Sequence, residues 1–167
     1  EKMHIYHFGA YEQSALKRLV GKYATREDEL DRLLRAGVFV NLHTITRHSV
    51  IAGVESYSLK DLEKLHGYLR IRDLRLVAQK KVLYEGLLES GYSDTIDEDT
   101  IAVVRDYNMD DCISTKHLRN WLEELRQKLV DEGTDIPRPA KEEDEPSEKQ
   151  KAYQQRIQPL FDKLIKD

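Results

Sequence analysis

One stretch constrains the rest of this chain. Residues 97–130 read as a single long helix whose apolar stripe carries a fault. Asp97, Glu98 and Asp99 put negative charge where a helix N-terminus is positive, Arg126 and Lys128 occupy the last turn, and Gly133 follows as a stop. Val104, Leu118, Trp121, Leu122, Leu125 and Leu129 step by three and four and mark the face to be buried. Between Val104 and Leu118 the same stepping passes through Tyr107, Asn108, Asp111 and Ser114 or Thr115. A carboxylate facing a core must meet a cation, a metal or strong donors, because an unpartnered buried charge is strongly destabilising. Two readings of Asp111 follow: it caps a loop or pairs with a buried arginine, or it binds a metal. Tyr107 and Asp111 are four apart and lie over one patch.

The chain has 167 residues, which suits one domain with an appendage. No run approaches the roughly 18 apolar residues of a membrane span, and no basic-then-apolar leader opens the chain, so the expected compartment is the cytoplasm. A single cysteine, Cys112, excludes an internal disulfide and a cysteine zinc cage. The chain begins at Glu1, directly on an apolar run, as expected of a piece of a longer protein. The net charge is −4, but it is unevenly spread. Residues 131–150 hold eight acids against three bases, whereas residues 60–82 hold seven bases against three acids. The basic stretch is either a solvated helix face or a track for phosphates.

In chain order, residues 3–8 (Met-His-Ile-Tyr-His-Phe) read as a buried strand ended by Gly9. A helix follows from Tyr11 to about Lys22, with Leu16, Leu19 and Val20 inward. Glu12 therefore stands at the carboxyl end of a strand, where α/β sheets place ligands. First-turn dipole compensation, worth about 0.3–1 kcal/mol, explains it equally well. His4 and His7, three apart on a strand, face opposite sides and read as structural. His43, His48, His66 and His117 show no metal-ligand spacing. Thr25 opens a second helix with Asp28 in a capping-box-like position, Leu30, Leu33 and Leu34 face inward, and Gly37 closes it. Residues 38–51 are ambiguous between strand and helix; 38–42 suit a short strand and the rest a turn or two of helix. Ser58 caps a helix with Asp61 at its third position, and Leu59, Leu62, Leu65 and Leu69 form its stripe. Residues 77–89 form another helix, with Val82, Leu83, Leu87 and Leu88 inward and Gly91 at its end. Residues 1–130 then make the main domain and 131–147 an acidic, Pro-containing linker. Residues 148–167 make a terminal amphipathic helix carrying Tyr153, Ile157, Leu160, Phe161, Leu164 and Ile165, which Pro159 kinks or restarts. There is no internal repeat.

Glu12 at a strand-to-helix turn, together with Tyr107-Asn108-Met109-Asp110-Asp111 on a core-facing helix, resembles the RNase H-like exonucleases. Four carboxylates hold two divalent metals in that family: an Asp-x-Glu on the first strand, one at a later strand-to-helix turn, and a Tyr-x-x-x-Asp on the last helix. Tyr107 and Asp111 match Tyr-x-x-x-Asp, and His7-Phe8-Gly9-Ala10-Tyr11-Glu12 is similar to the third-carboxylate segment with Glu12 for the usual Asp. Tyr11-Glu12, Leu33-Leu34-Arg35-Ala36-Gly37-Val38, Ser56-Tyr57-Ser58-Leu59-Lys60 and Tyr107-Asn108…Asp111-Cys112…Ser114-Thr115, in this order, resemble one branch. It comprises RecB-family nucleases whose RNase H-like domain precedes a superfamily 1 helicase. The likeness spans residues 3–165. No Asp-x-Glu strand precedes Glu1, and Asn41 stands where the branch tends to have Asp.

The resemblance implies a mostly helical α+β chain, the C-terminal portion of an RNase H-like α/β fold with one or two strands. The bare strand edge is then covered by residues outside this chain or by a second copy of it. It further implies a 3'-5' exonuclease acting on a single-stranded end with two Mg²⁺ or Mn²⁺ ions, and a helicase domain in the same polypeptide. Asp111 and Glu12 would be metal ligands and Tyr107 would orient the attacking water. Lys60, Arg70 and Arg72 would contact phosphates. With two of four carboxylates the chain alone would be inactive. The alternative is a non-catalytic helical scaffold or nucleic-acid-binding module between nuclease and helicase. No phosphate-binding Gly-x-x-x-x-Gly-Lys loop is present.

Overall fold

Two short β-branched and aromatic runs find each other across a helical crossover. The computed structural model describes residues 3–138, 152–153, 155–159 and 163. Strands β1 (Ile5–His7) and β2 (Phe39–Asn41) pair in parallel, with Ile5 opposite Phe39, Tyr6 opposite Val40 and His7 opposite Asn41. A parallel pair needs a long connection. Helices α1 (Tyr11–Tyr23) and α2 (Glu27–Arg35) supply it. Then come α3 (Leu42–Ser49), α4 (Leu59–His66), α5 (Leu74–Glu89), a short 3₁₀ turn at Ser93–Thr95, and α6 (Glu98–Asp131). The result is the mostly helical α+β architecture expected from the sequence.

The contacts divide the chain into Glu1–Ile136 and Pro137–Asp167. The second unit is helical at residues 152–153, 155–159 and 163. The remainder of the expected linker and terminal helix, with Leu160, Phe161, Leu164 and Ile165, lies outside the described residues.

Helix α6 is the spine, packing against α3, α4, α5 and β1. Its start is built as its sequence requires: the Asp97 side chain accepts from the Thr100 backbone N–H at 2.8 Å and from its hydroxyl at 2.7 Å. Lys80 of α5 reaches the same turn, 2.8 Å from Asp99 and 3.0 Å from Thr100 Oγ1. At α4 the Ser58 hydroxyl accepts from Asp61 N–H, as the capping motif predicts. The core closes around Leu42, Leu62 and Leu118, with Tyr6, Phe8, Val40 and Trp121 packed against them.

Several expected burials do not occur. Leu16 and Leu19 of α1 are exposed, Val20 is only half-buried, and α1 buries no residue, because α2 is the main element it packs against. Thr25 caps nothing: α2 starts at Glu27, after a left-handed Arg26 with φ 61°. Leu69 is exposed because Gly67, at φ 70°, stops α4 before the stripe reaches it. On α5, Val82, Leu83 and Leu88 are exposed and the buried residue is Val77, at the edge of the expected helix. The α6 stripe is set about one residue earlier than its apolar ends suggest. Thr100, Val103, Asp106, Asp110, Ser114 and Leu118 are buried, while Asn108 faces outward and Asp111 is partly exposed. No described helix is long and apolar enough to cross a membrane.

Candidate functional site

The turn from β1 to α1 is held from both sides. Gly9 adopts φ 94°, a conformation that glycine accepts without strain. Its N–H donates to Asn41 Oδ1 at 3.0 Å, and the same oxygen caps α3 through the N–H groups of His43 (3.1 Å) and Thr44 (3.5 Å). The buried His7 ring sets Nδ1 2.8 Å from the Gly9 carbonyl and Nε2 3.4 Å from Gln13 Nε2, which assigns the proton to Nδ1. His7 Nδ1 is also 3.6 Å from Glu12 Oε2, and the Glu12 side chain is 45% exposed.

The opposite wall is a strap between α4 and α5 that meets three acids of α6. Tyr68 donates its hydroxyl to Asp110 Oδ1 at 2.6 Å, and Ile71 N–H lies 3.1 and 3.3 Å from the two Asp110 oxygens. Arg72 pairs with Asp106 at 2.9 Å. Arg70 is only 7% exposed. It clasps buried Glu63 through Nε (2.9 Å) and Nη2 (2.6 Å), and Nη2 also donates to Asp111 Oδ1 at 2.8 Å. Burial opposes the Arg70 charge, but the bonds to Glu63 and Asp111 outweigh it and push its pKa up. Burial and the bond to Asp110 push the Tyr68 hydroxyl up to about 12. Tyr107 lies under both cations: Lys60 Nζ is 3.3 Å from its hydroxyl and 5.3 Å from the ring centroid, and the Arg70 guanidinium carbon is 5.5 Å from that centroid.

These walls enclose a pocket of about 430 Å³ lined by Glu12, Lys60, Arg70, Tyr107 and Asp111, with the aromatic Tyr6 and Phe8. Five of the six sequence candidates thus share one pocket. Arg72 does not line it. The buried carboxylate expected at Asp111 is found instead at Asp110, which is 1% exposed. Asp111 is 37% exposed and pairs with a buried arginine, one of the two partners weighed for it. As metal ligands, Glu12 and Asp111 are of the right kind, half-open hard oxygens, but too few. No group of three or more His, Cys, Asp or Glu among the described residues could hold an ion.

Of the residues that build this geometry, sequence reasoning passed over Glu63, noted Asn41 only as a departure from the branch's Asp, and set His7 aside as structural. An Asn immediately before a helix is an N-cap signal that could have singled out Asn41. Glu63 sat unremarked between Leu62 and Leu65 of the α4 stripe, and its role depends on Arg70, which lies beyond the helix end.

The RNase_H_2 family model, of the RNase_H superfamily, matches residues 1–123. The chain belongs to the RNase H superfamily, as its motifs suggested. Membership points to nuclease-like activity on nucleic acid and to divalent metals, which RNase H-like domains generally use. No curated protein and no solved structure matches the chain.

Proposed function

We propose that this chain is part of a metal-dependent nuclease of the DEDD, Tyr-x-x-x-Asp type. In this reading it hydrolyses nucleic-acid phosphodiesters from a 3' single-stranded end and belongs to the RecB-family branch that carries a helicase domain in the same polypeptide. The supporting observation is that Glu12 lines one pocket with Tyr107 and Asp111, some ninety-five residues further along the chain, and with Lys60 and Arg70. Two Mg²⁺ or Mn²⁺ ions, when bound, activate a water and stabilise the leaving oxygen. Glu12 and Asp111 are this chain's share of the ligands, and further carboxylates come from elsewhere in the protein. Tyr107 orients the attacking water through its hydroxyl, and the nearby cations favour an anionic substrate. Residues 1–130 are the nuclease part, 131–147 a linker and 148–167 an added helix. The free edges of the two-stranded sheet are covered by the rest of the nuclease or by a second copy.

A non-catalytic scaffold is the second reading, favoured by the ion pair that already neutralises Asp111. Asp111→Asn in the whole protein separates the two. Loss of Mn²⁺-dependent cleavage with an unchanged melting temperature supports the nuclease. Retained cleavage, or a protein that needs Asp111 only to stay folded, supports the scaffold. The 167-residue chain alone is expected to cut nothing measurable, and robust metal-dependent cleavage by it would refute the shared-ligand arrangement.

A further inference from the structure

Two cations crowd Tyr107, and neither can accept a hydrogen bond. The Arg70 guanidinium carbon stands 5.5 Å from the ring centroid, while its Nε and Nη2 are taken by Glu63 and Asp111. The Lys60 ammonium stands 5.3 Å from the same centroid and 3.3 Å from the phenol oxygen. Guanidinium and ammonium groups carry donors only, so the contact at the oxygen runs one way: Lys60 donates and Tyr107 accepts. The phenol proton needs a different acceptor, and none lies within hydrogen-bond distance of it among the described residues.

The fold holds the two ends of this contact independently. Tyr107 lies on α6, one turn before Asp111, which is paired with Arg70. Lys60 is the second residue of α4, in a turn set by the Ser58 hydroxyl, which accepts from the Asp61 N–H at 3.2 Å. Lys64, one turn on, is committed to Asp61 at 3.2 Å, whereas Lys60 pairs with no carboxylate among the described residues. Lys60 and Tyr107 both line the pocket.

A lysine beside a pocket is ordinarily counted as a contact for the charge of the ligand. We propose instead that Lys60 is a positioning residue. Its ammonium occupies a lone pair of the Tyr107 oxygen and so commits the phenol O–H to donate into the pocket, to an oxygen with a lone pair to offer. Donation from Lys60 also polarises the phenol and strengthens it as a donor. In the nuclease reading, on which this last identification rests, the acceptor is the attacking water. A phenol that donates to that water orients it and cannot take its proton, so proton removal falls to another group.

The test has two arms. In the 167-residue chain, a Raman difference spectrum against Tyr107→Phe isolates the phenol doublet of Tyr107, whose intensity ratio reports whether the oxygen donates or accepts. Lys60→Met keeps the length of the side chain and removes the donor. Taken against its own Tyr107→Phe partner, it should move the ratio toward a phenol that only donates. Lys60→Arg should bring the ratio back, with melting temperatures checked for each variant. A ratio unmoved by Lys60→Met overturns the proposal.

In the whole protein, Lys60→Met should lower kcat by about three- to tenfold, the size of one hydrogen bond, and leave KM unchanged. Lys60→Arg should recover kcat, and in a Tyr107→Phe background Lys60→Met should change nothing. A KM that rises while kcat holds, as a phosphate contact would give, overturns the proposal, and so does a Lys60→Met effect undiminished by Tyr107→Phe. Absence of cleavage with the Raman shift present defeats the nuclease reading and leaves Lys60 setting the phenol. Cleavage with an unmoved Raman ratio defeats the positioning role and leaves the nuclease reading.

Discussion

Neighbouring aspartates on α6 should respond unequally to mutation, and the size of the difference follows from their partners. Asp110 is 1% exposed and accepts from the Tyr68 hydroxyl and the Ile71 N–H. Asp110→Ala deletes two hydrogen bonds to a charged acceptor and strands both donors in the interior. At about 1.5–3 kcal/mol for each such bond, the loss should be about 3–6 kcal/mol. For a chain of this length each kcal/mol moves the melting temperature by about 2–4 °C, so the midpoint should fall by roughly 10 °C. Asp111 has one described side-chain bond, to Arg70, and is over a third exposed. In Asp111→Asn the amide oxygen can accept the same bond while Glu63 keeps the Arg70 charge paired, so the change should stay below about 1 kcal/mol. Urea denaturation followed by circular dichroism, at fixed m-value, measures both. Equal losses, or a larger loss for Asp111→Asn, would refute the assignment of Asp110 to the fold and Asp111 to the pocket.

Asn41→Ala should cost about 1–2 kcal/mol by uncapping α3 and freeing the Gly9 turn, whereas Asn41→Asp, which keeps the acceptor, should cost less; thermal melts decide. His66 has both ring nitrogens buried and unpartnered, and burial, aided by the neighbouring His117, holds its pKa below the ordinary 6.5. The unfolded chain therefore takes up this proton first as the pH falls, so stability should be complete above pH 6.5 and decline below it. In His66→Phe that acid-side slope should shrink, as read from urea midpoints at a series of pH values. Mn²⁺ titrated calorimetrically into the chain should bind weakly, and Asp111→Asn should remove most of the heat, whereas tight binding of two ions would contradict the two-carboxylate pocket.

Local rules account for what was legible in the sequence. Ser58 with Asp61 is a cap whose donor and acceptor lie within three residues, and it forms as its spacing demands; Asp97, read only as charge at the start of its helix, caps Thr100 at the same spacing. The strand at residues 5–7 and its stop at Gly9 are equally local. What could not be read was the phase of α6 and the fate of the apolar faces on α1 and α5. Leucine periodicity tells which side of a helix would be buried if a neighbour came, but not whether one comes. The α6 phase was misread because Asp106 and Asp110 look like surface residues until their partners are known. Those partners, Tyr68, Ile71 and Arg72, lie in a strap more than thirty residues away. At the candidate site, Glu12, Tyr107 and Asp111, named by motif, line one pocket together with Lys60 and Arg70, named for their charge, while Arg72, named on the same ground, does not line it because it turns to Asp106.

The strap also bears on how the pocket can serve both folding and ligand binding. A carboxylate held by a buried arginine is ordinarily a poor ligand for anything else, since removing it orphans a buried charge. Arg70 escapes that rule because Glu63 takes two of its bonds and remains when Asp111 leaves. Detaching Asp111 then sacrifices one hydrogen bond at a partly exposed carboxylate, while the buried ion pair stays closed. A cation arriving at Asp111 competes only with that one bond, and the carboxylate is meanwhile kept in the pocket beside Tyr107. Asp110, one residue earlier, has no such second acceptor behind its partners, and for that reason it belongs to the fold.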